Sequence, residues 1–139
     1  NISPHILQNF GLCKAVEAFA SDVLKENNIR FIVDSEFEKR LPSEVEASLY
    51  RISIELLTNT VKYAKATAVQ IAYLLSDELV QLNYCDDGVG FDYHETISKK
   101  NGMGLFNMRN RVSALNGSID FVSSKNKGVN VEISVPLDM

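Results

Sequence analysis

Several common sequence signals are missing. The 139 residues hold two cysteines, Cys13 and Cys85, which match no metal-ligand spacing and form no disulfide framework, so two reduced thiols of a cytosolic domain are expected. No apolar run approaches the roughly 20 residues that span a bilayer. Positive charge is not in excess: 14 Lys and Arg against 18 Asp and Glu leave a net charge of -4, which argues against a nucleic-acid surface. The opening "NISPHILQNF" has neither the basic start nor the apolar centre of a signal peptide, and no initiator Met. A fragment of a longer protein, not itself inserted in a membrane, is the expectation. No internal repeat, low-complexity tract or linker interrupts residues 1–139, and a single domain is expected over that whole span.

What is present is an ordinary globular composition, 45% hydrophobic and 23% charged. Leu12, Val16, Phe19, Ala20, Val23 and Leu24 recur at helical spacing within Gly11–Asn27. Residues 29–34 read as a short strand, and Pro42-Ser43 before Glu44 and Glu46 starts a long helix that extends to about Ala66. Val69, Ile71, Tyr73 and Leu75 alternate along one strand, and Val80, Leu82 and Tyr84 along the next. Leu105–Leu115 is helical and closed by Asn116-Gly117, and residues 118–123 pair with 129–135 in a last hairpin. The hairpins imply antiparallel pairing and exclude a doubly wound parallel sheet. An α+β fold follows: a two-layer sandwich whose mixed, mainly antiparallel sheet carries about three helices on one face.

Three sites carry candidate chemistry. On the long helix, Glu55, Asn59 and Lys62 stack along one edge, off the broad apolar face of Leu49, Ile52, Ser53, Leu56, Leu57, Thr60, Val61 and Ala64. A solvated face with a Glu55–Lys62 ion pair is the plain reading. Asn59, however, gains little from a helix interior, and its amide oxygen suits Mg²⁺. Glu55 could orient or deprotonate a group beside that ion, and Lys62 could meet a phosphate.

The second site, "CDDGVGFD" (85–92), places Asp86 on the even-numbered face shared with Val80, Leu82 and Tyr84, with Gly88 and Gly90 opening space behind it. An ordinary turn is the plain reading. A carboxylate on the inner face needs a partner, and an ionised one accepts hydrogen bonds only, which suits the exocyclic amino group of adenine. The third, "NGMGLFNM" (101–108), sets Gly102 and Gly104 before a helix, where backbone N–H groups attract phosphate.

In order and spacing, "ELLTNTVKYA" (55–64), "DDGVGFD" (86–92) and "GMGLFNMRNRV" (102–112) resemble the N box and the two glycine boxes of the catalytic, ATP-binding domain of sensor histidine kinases. That domain belongs to the superfamily of gyrase, the heat-shock chaperone and the mismatch-repair ATPases. "GLFNMRNRV", together with the opening "SPHILQNFGLCKAVEAF", is similar to the nitrate-sensor and lipid-fluidity-sensor subfamily. Two positions depart from that pattern: Tyr63 stands where His is common, and Val129 where Thr is common.

The resemblance implies a Bergerat-type ATP-binding fold with ATP and Mg²⁺ as cofactors. Asn59 would bind the metal, Glu55 would assist phosphoryl transfer, and Lys62 would lie near the phosphates. Asp86, Gly88 and Gly90 would form the adenine pocket. Gly102, Gly104 and the amide of Leu105 would meet the phosphates, under a lid of residues 93–103. Residues 1–10 would be the entry from a dimerisation and phosphoacceptor helical domain, absent here, in a homodimeric parent that signals to a response regulator. The location would be cytoplasmic, for a parent that can be anchored in the inner membrane. His5 and His94 lie in no acceptor context, so the fragment should not phosphorylate itself well. An anti-sigma-factor-type serine kinase and a nucleotide-binding regulatory module without turnover are the alternatives. The opening segment and "MRNRV" (108–112) argue against the first, and Glu55 against the second.

Overall fold

The computed structural model describes residues 4–35, 37, 39–88, 104–123 and 128–137. Helices α1 (Pro4–Phe10) and α2 (Leu12–Glu26) precede strand β1 (Arg30–Ser35). Helix α3 (Ser43–Asn59) continues into a π-helical turn (Thr60–Ala64). Strands β2 (Ala68–Leu75) and β3 (Leu79–Asp86), helix α4 (Gly104–Ala114), and strands β4 (Ser118–Ser123) and β5 (Val129–Pro136) complete the order. The sheet runs β1-β2-β3-β5-β4. β1 and β2 pair in parallel and the other three pairs are antiparallel, giving the mixed sheet that the strand pattern indicates. The parallel pair exists because α3 makes the crossover between its strands.

Alternation decides which face is buried. Val69, Ile71 and Tyr73 of β2, Val80, Leu82 and Tyr84 of β3, and Val129, Val131, Ile133 and Val135 of β5 all point inward. Against them pack Val16, Ala20 and Leu24 of α2, Leu49, Ile52, Leu56 and Leu57 of α3, and Met108 and Val112 of α4. Each buried Val, Leu, Ile or Met among them stabilises the fold by about 1.5–3 kcal/mol. Local chemistry sets the ends of the elements. Asn28 turns left-handed at φ 57°, while the Ile29 N–H reaches back to Leu24 O at 2.9 Å and closes α2. Asn116 does the same after α4 at φ 60°. Gly117 is needed there because a Cβ would lie 2.4 Å from Ser134 O on β5.

Two features differ from the reading of the sequence. The entry segment contains a helix, α1, whose single deeply buried residue is Leu7; it lies against α2 and α3 rather than on the sheet. The long helix does not continue to about Ala66: it is α-helical to Asn59, changes to a π turn over Thr60–Ala64 and stops at Lys65, which is left-handed at φ 52°. Helical periodicity alone does not register a change of hydrogen-bond spacing.

Arg40 ties α1 to α3. Its guanidinium donates to both carboxylate oxygens of Glu46 in the first turn of α3, at 2.9 and 2.7 Å, and to the α1 carbonyls of Leu7 and Gln8 at 3.0 and 3.1 Å. The Leu41 N–H also donates to Glu46, at 3.2 Å, so the buried carboxylate is well satisfied. Gly11, at φ 88°, breaks the chain between α1 and α2 and passes close to Arg40.

Candidate functional site

Thr60 opens the π turn, and Asp86 ends β3. Strand register puts Asp86 beside Val69 of β2 and Val129 of β5, at one end of the inner face. Asp86 is 8% exposed. Its Oδ1 accepts from the Gly88 N–H at 2.9 Å, and its Oδ2 from the Thr60 hydroxyl at 3.1 Å. The Tyr84 hydroxyl lies 3.4 Å from the same Oδ2 and is hydrogen-bonded to Thr60. Burial raises the Asp86 carboxyl above its ordinary value; hydrogen bonds from Gly88, Thr60, the Val129 backbone and Tyr84 oppose that rise without cancelling it. The result is an inward carboxylate held by several donors, with lone pairs remaining for one more.

The backbone around Asp86 is equally constrained. Gly128, at φ 73°, enters β5 so close that a Cβ would lie 2.2 Å from the Asp86 carbonyl oxygen, and only glycine fits. Asp87 has a different task. Its carboxylate accepts from the backbone N–H groups of Thr67 and Ala68 at 2.8 and 2.9 Å and from the Thr67 hydroxyl, fastening the start of β2. Those bonds, the Thr67 hydroxyl first, hold its carboxyl below the ordinary value.

On α3, Glu55 is half-buried, Asn59 is 2% exposed, and Lys62 on the π turn is exposed. Asn59 ends the α-helical part of α3 one turn after Glu55 and is buried, as is Thr60, whereas Lys62 lies beyond the change to the π turn. Thr60 was placed on the apolar face by periodicity, and its hydroxyl is instead spent on Tyr84 and Asp86. Gly88 is buried and bonded to Asp86. Gly104 and Leu105 form the first turn of α4. Gly90, Gly102, His94, the 93–103 segment and Asp92 lie outside the described residues. Of the two departures, Tyr63 is half-buried against the core, and Val129 is buried beside Asp86 on the neighbouring strand.

Thr60, Tyr84 and Gly128 are the site residues that sequence reasoning missed. Tyr84 shares the parity of Asp86, and that was the available signal. Gly128 stood at the end of a turn, and the close approach that requires it spans two strands.

Asn59 carries a hard amide oxygen of the type Mg²⁺ takes, but the side chain is buried, and among the described residues no group of three or more His, Cys, Asp or Glu could hold a metal ion. A metal there would depend mostly on ligand phosphates and water, which is how Mg²⁺ is commonly held. No helix among the described residues is long and apolar enough to cross a membrane.

A buried acceptor at the end of an inner strand, the polar residues Glu55 and Asn59 on α3 and the N-terminus of α4 make up the framework of the site. Residues 44–139 match the family model "Histidine kinase-, DNA gyrase B-, and HSP90-like ATPase", and the chain belongs to that family. Over 98% of its length it is similar to the sensor histidine kinase ComP of Bacillus subtilis strain 168, at 32% identity and over 18% of that protein. It is similar to the oxygen sensor histidine kinase NreB of Staphylococcus carnosus strain TM300 at 30% identity, over 98% of this chain and 39% of that one. The chain thus spans well under half the length of these relatives. Among solved structures, the blue-light activated histidine kinase of Erythrobacter litoralis EL346 superposes with a TM-score of 0.75 at 22% identity, over 91% of this chain and 42% of that one. The catalytic domain of histidine kinase ThkA superposes at 0.69 with 18% identity, over 91% of each chain. Both share the fold.

Proposed function

We propose that this domain binds ATP with Mg²⁺ and transfers the γ-phosphoryl group to a histidine on a separate helical domain of its parent protein. The observation that carries the reading is the continuity of the Asp86–Thr60–Asn59 cluster. A buried carboxylate suited to an amino-group donor is joined, through one hydroxyl, to the helix edge that bears Asn59 and Glu55.

In this reading Asp86 accepts from the adenine amino group, and Gly88 and Gly90 leave room for the ring. Gly102, Gly104 and the Leu105 amide receive the phosphates at the start of α4, and Lys62 adds a positive charge nearby. Asn59 would hold Mg²⁺, which when bound neutralises charge on the β- and γ-phosphates. Glu55, one turn before Asn59, orients the acceptor imidazole and takes its proton. The imidazole nitrogen bonds to the γ-phosphorus as the bond to the bridging oxygen breaks, and ADP leaves with that electron pair. Catalysis is then mostly positioning and charge neutralisation. The parent would be a homodimer that passes its phosphoryl group to a response regulator, with residues 93–103 as a lid over the nucleotide.

The test is transfer from radiolabelled ATP to the parent's acceptor helical hairpin supplied in trans. Glu55→Gln should cut the rate by about 100-fold or more, the range for a positioned acid–base group, while ATP affinity changes little. Equal transfer by the variant would remove Glu55 from the chemistry.

A further inference from the structure

Beyond Glu55, away from Asn59, α3 and α4 part to form a cavity of about 200 Å³ lined by Arg51, Glu55, Asn107 and Arg111 over Ile52 and Met108. Arg51 and Glu55 are one turn apart on α3, and Asn107 and Arg111 are one turn apart on α4, so the cavity has two polar rungs. The other arginine of α4, Arg109, is used elsewhere: its guanidinium lies over the Phe121 ring at 5.9 Å. Among the described residues Arg51 and Arg111 make no ion pair, even with Glu55. Two guanidinium groups against one carboxylate leave the cavity net positive, in a chain whose overall charge is -4.

Position separates this charge from the nucleotide. At about 1.5 Å per residue, Glu55 lies about 6 Å along the α3 axis from Asn59, and Arg51 about 12 Å. Arg51 therefore lies past Glu55, the residue assigned above to the acceptor imidazole, on the side away from Asn59, and Arg111 lines the same cavity.

We propose that Arg51 and Arg111 form the docking site for the acceptor domain, receiving carboxylate side chains spaced one turn apart on the helix that carries the acceptor histidine. The proposal rests on the kinase reading above and adds its partner-recognition surface. Guanidinium groups on two different helices hold an incoming acidic helix beside Glu55, so they act on binding of the acceptor domain rather than on the transfer step. Charge at this rim also steers encounter, which makes docking sensitive to salt.

The experiment measures transfer from ATP to the parent's acceptor hairpin in trans, with ATP affinity determined separately by calorimetry. Arg51→Glu and Arg111→Glu should each raise KM for the hairpin about tenfold or more, with kcat little changed. ATP affinity should stay at the wild-type value, and transfer should lose most of its salt dependence. Arg51→Gln and Arg111→Gln, which add no repulsion, should show the same effects in weaker form, and lysine at either position should restore part of the loss. Weakened ATP binding would place the arginines in the nucleotide site and overturn the proposal. Unchanged KM and salt dependence would overturn it as well. Absence of transfer by the wild-type chain would instead bring down the kinase reading, and this proposal with it.

Discussion

Asp86 is the residue where sequence logic and structure meet most directly. Strand parity alone put its carboxylate inward, and the structure buries it there among Gly88, Thr60 and Tyr84. Asp86→Asn keeps the size and replaces an acceptor by a partial donor. ATP affinity should fall by at least about 1.5 kcal/mol, roughly tenfold, as for a charged hydrogen bond; unchanged affinity in calorimetry would refute base recognition by this residue. Its raised pKa also has a signed consequence. The folded state holds the Asp86 proton more tightly than the unfolded chain, whose carboxyl titrates near 3.9. From this group, stability is greatest below that value and falls as pH rises through the folded pKa, then levels. Denaturant titrations of apo protein should show a slope in that window that Asp86→Asn lacks. ATP binding should run the other way, weakening on acidification at a higher pH than an exposed aspartate would give. Thr60 was illegible at this scale, because its role depends on a change of helix type one residue after Asn59.

At the scale of elements, α3 joins the fold to the chemistry. Its buried stripe and its start at Pro42 were plain in the sequence, because apolar spacing and first-turn glutamates are local signals. Its end was not, since a π turn is stabilised by what it faces, here Tyr84 and Asp86 on β3. The junction predicts that Asn59→Ala removes most of the enhancement of ATP binding by Mg²⁺. The loss of a buried amide should also cost about 1–3 kcal/mol of stability. Calorimetry with and without Mg²⁺ checks the first, and an equal enhancement in the variant would show that another group holds the metal. The α1 segment makes a separate prediction. A seven-residue helix is marginal alone, and Arg40 supplies much of its attachment. Arg40→Met should leave Glu46 buried without its charge partner, lower the melting temperature and accelerate amide exchange in α1 more than in α3. Undisturbed exchange in α1 would mean that the apolar contacts of Leu7 and Ile6 suffice. No periodicity could show this tie, because its ends, Leu7 and Arg40, are 33 residues apart.

On the scale of the whole molecule, a mixed, mainly antiparallel sheet, helices on one face and the inner face follow from alternation and hairpin rules, and that much was readable in advance; the strand order β1-β2-β3-β5-β4 was not. What those rules could not supply is distance between parts. Distance decides whether this domain can be its own substrate. Transfer needs the acceptor nitrogen within about 3–3.5 Å of the γ-phosphorus and in line with the leaving oxygen. His5 lies on α1, exposed, with its ring nitrogens 3.3 Å from the Asn9 amide. Arg40 fastens the far end of that helix to Glu46, and Glu46 precedes Glu55 by about 14 Å along α3 at about 1.5 Å per residue. To reach its own nucleotide, His5 would have to break the Arg40 bonds and carry α1 along most of α3. The isolated chain incubated with radiolabelled ATP should therefore remain almost unlabelled, and Arg40→Met should not change that, since a released α1 still has no site to hold it in line. Acid-labile phosphate on His5 in the wild-type chain would contradict the argument outright and make the domain a kinase that needs no partner.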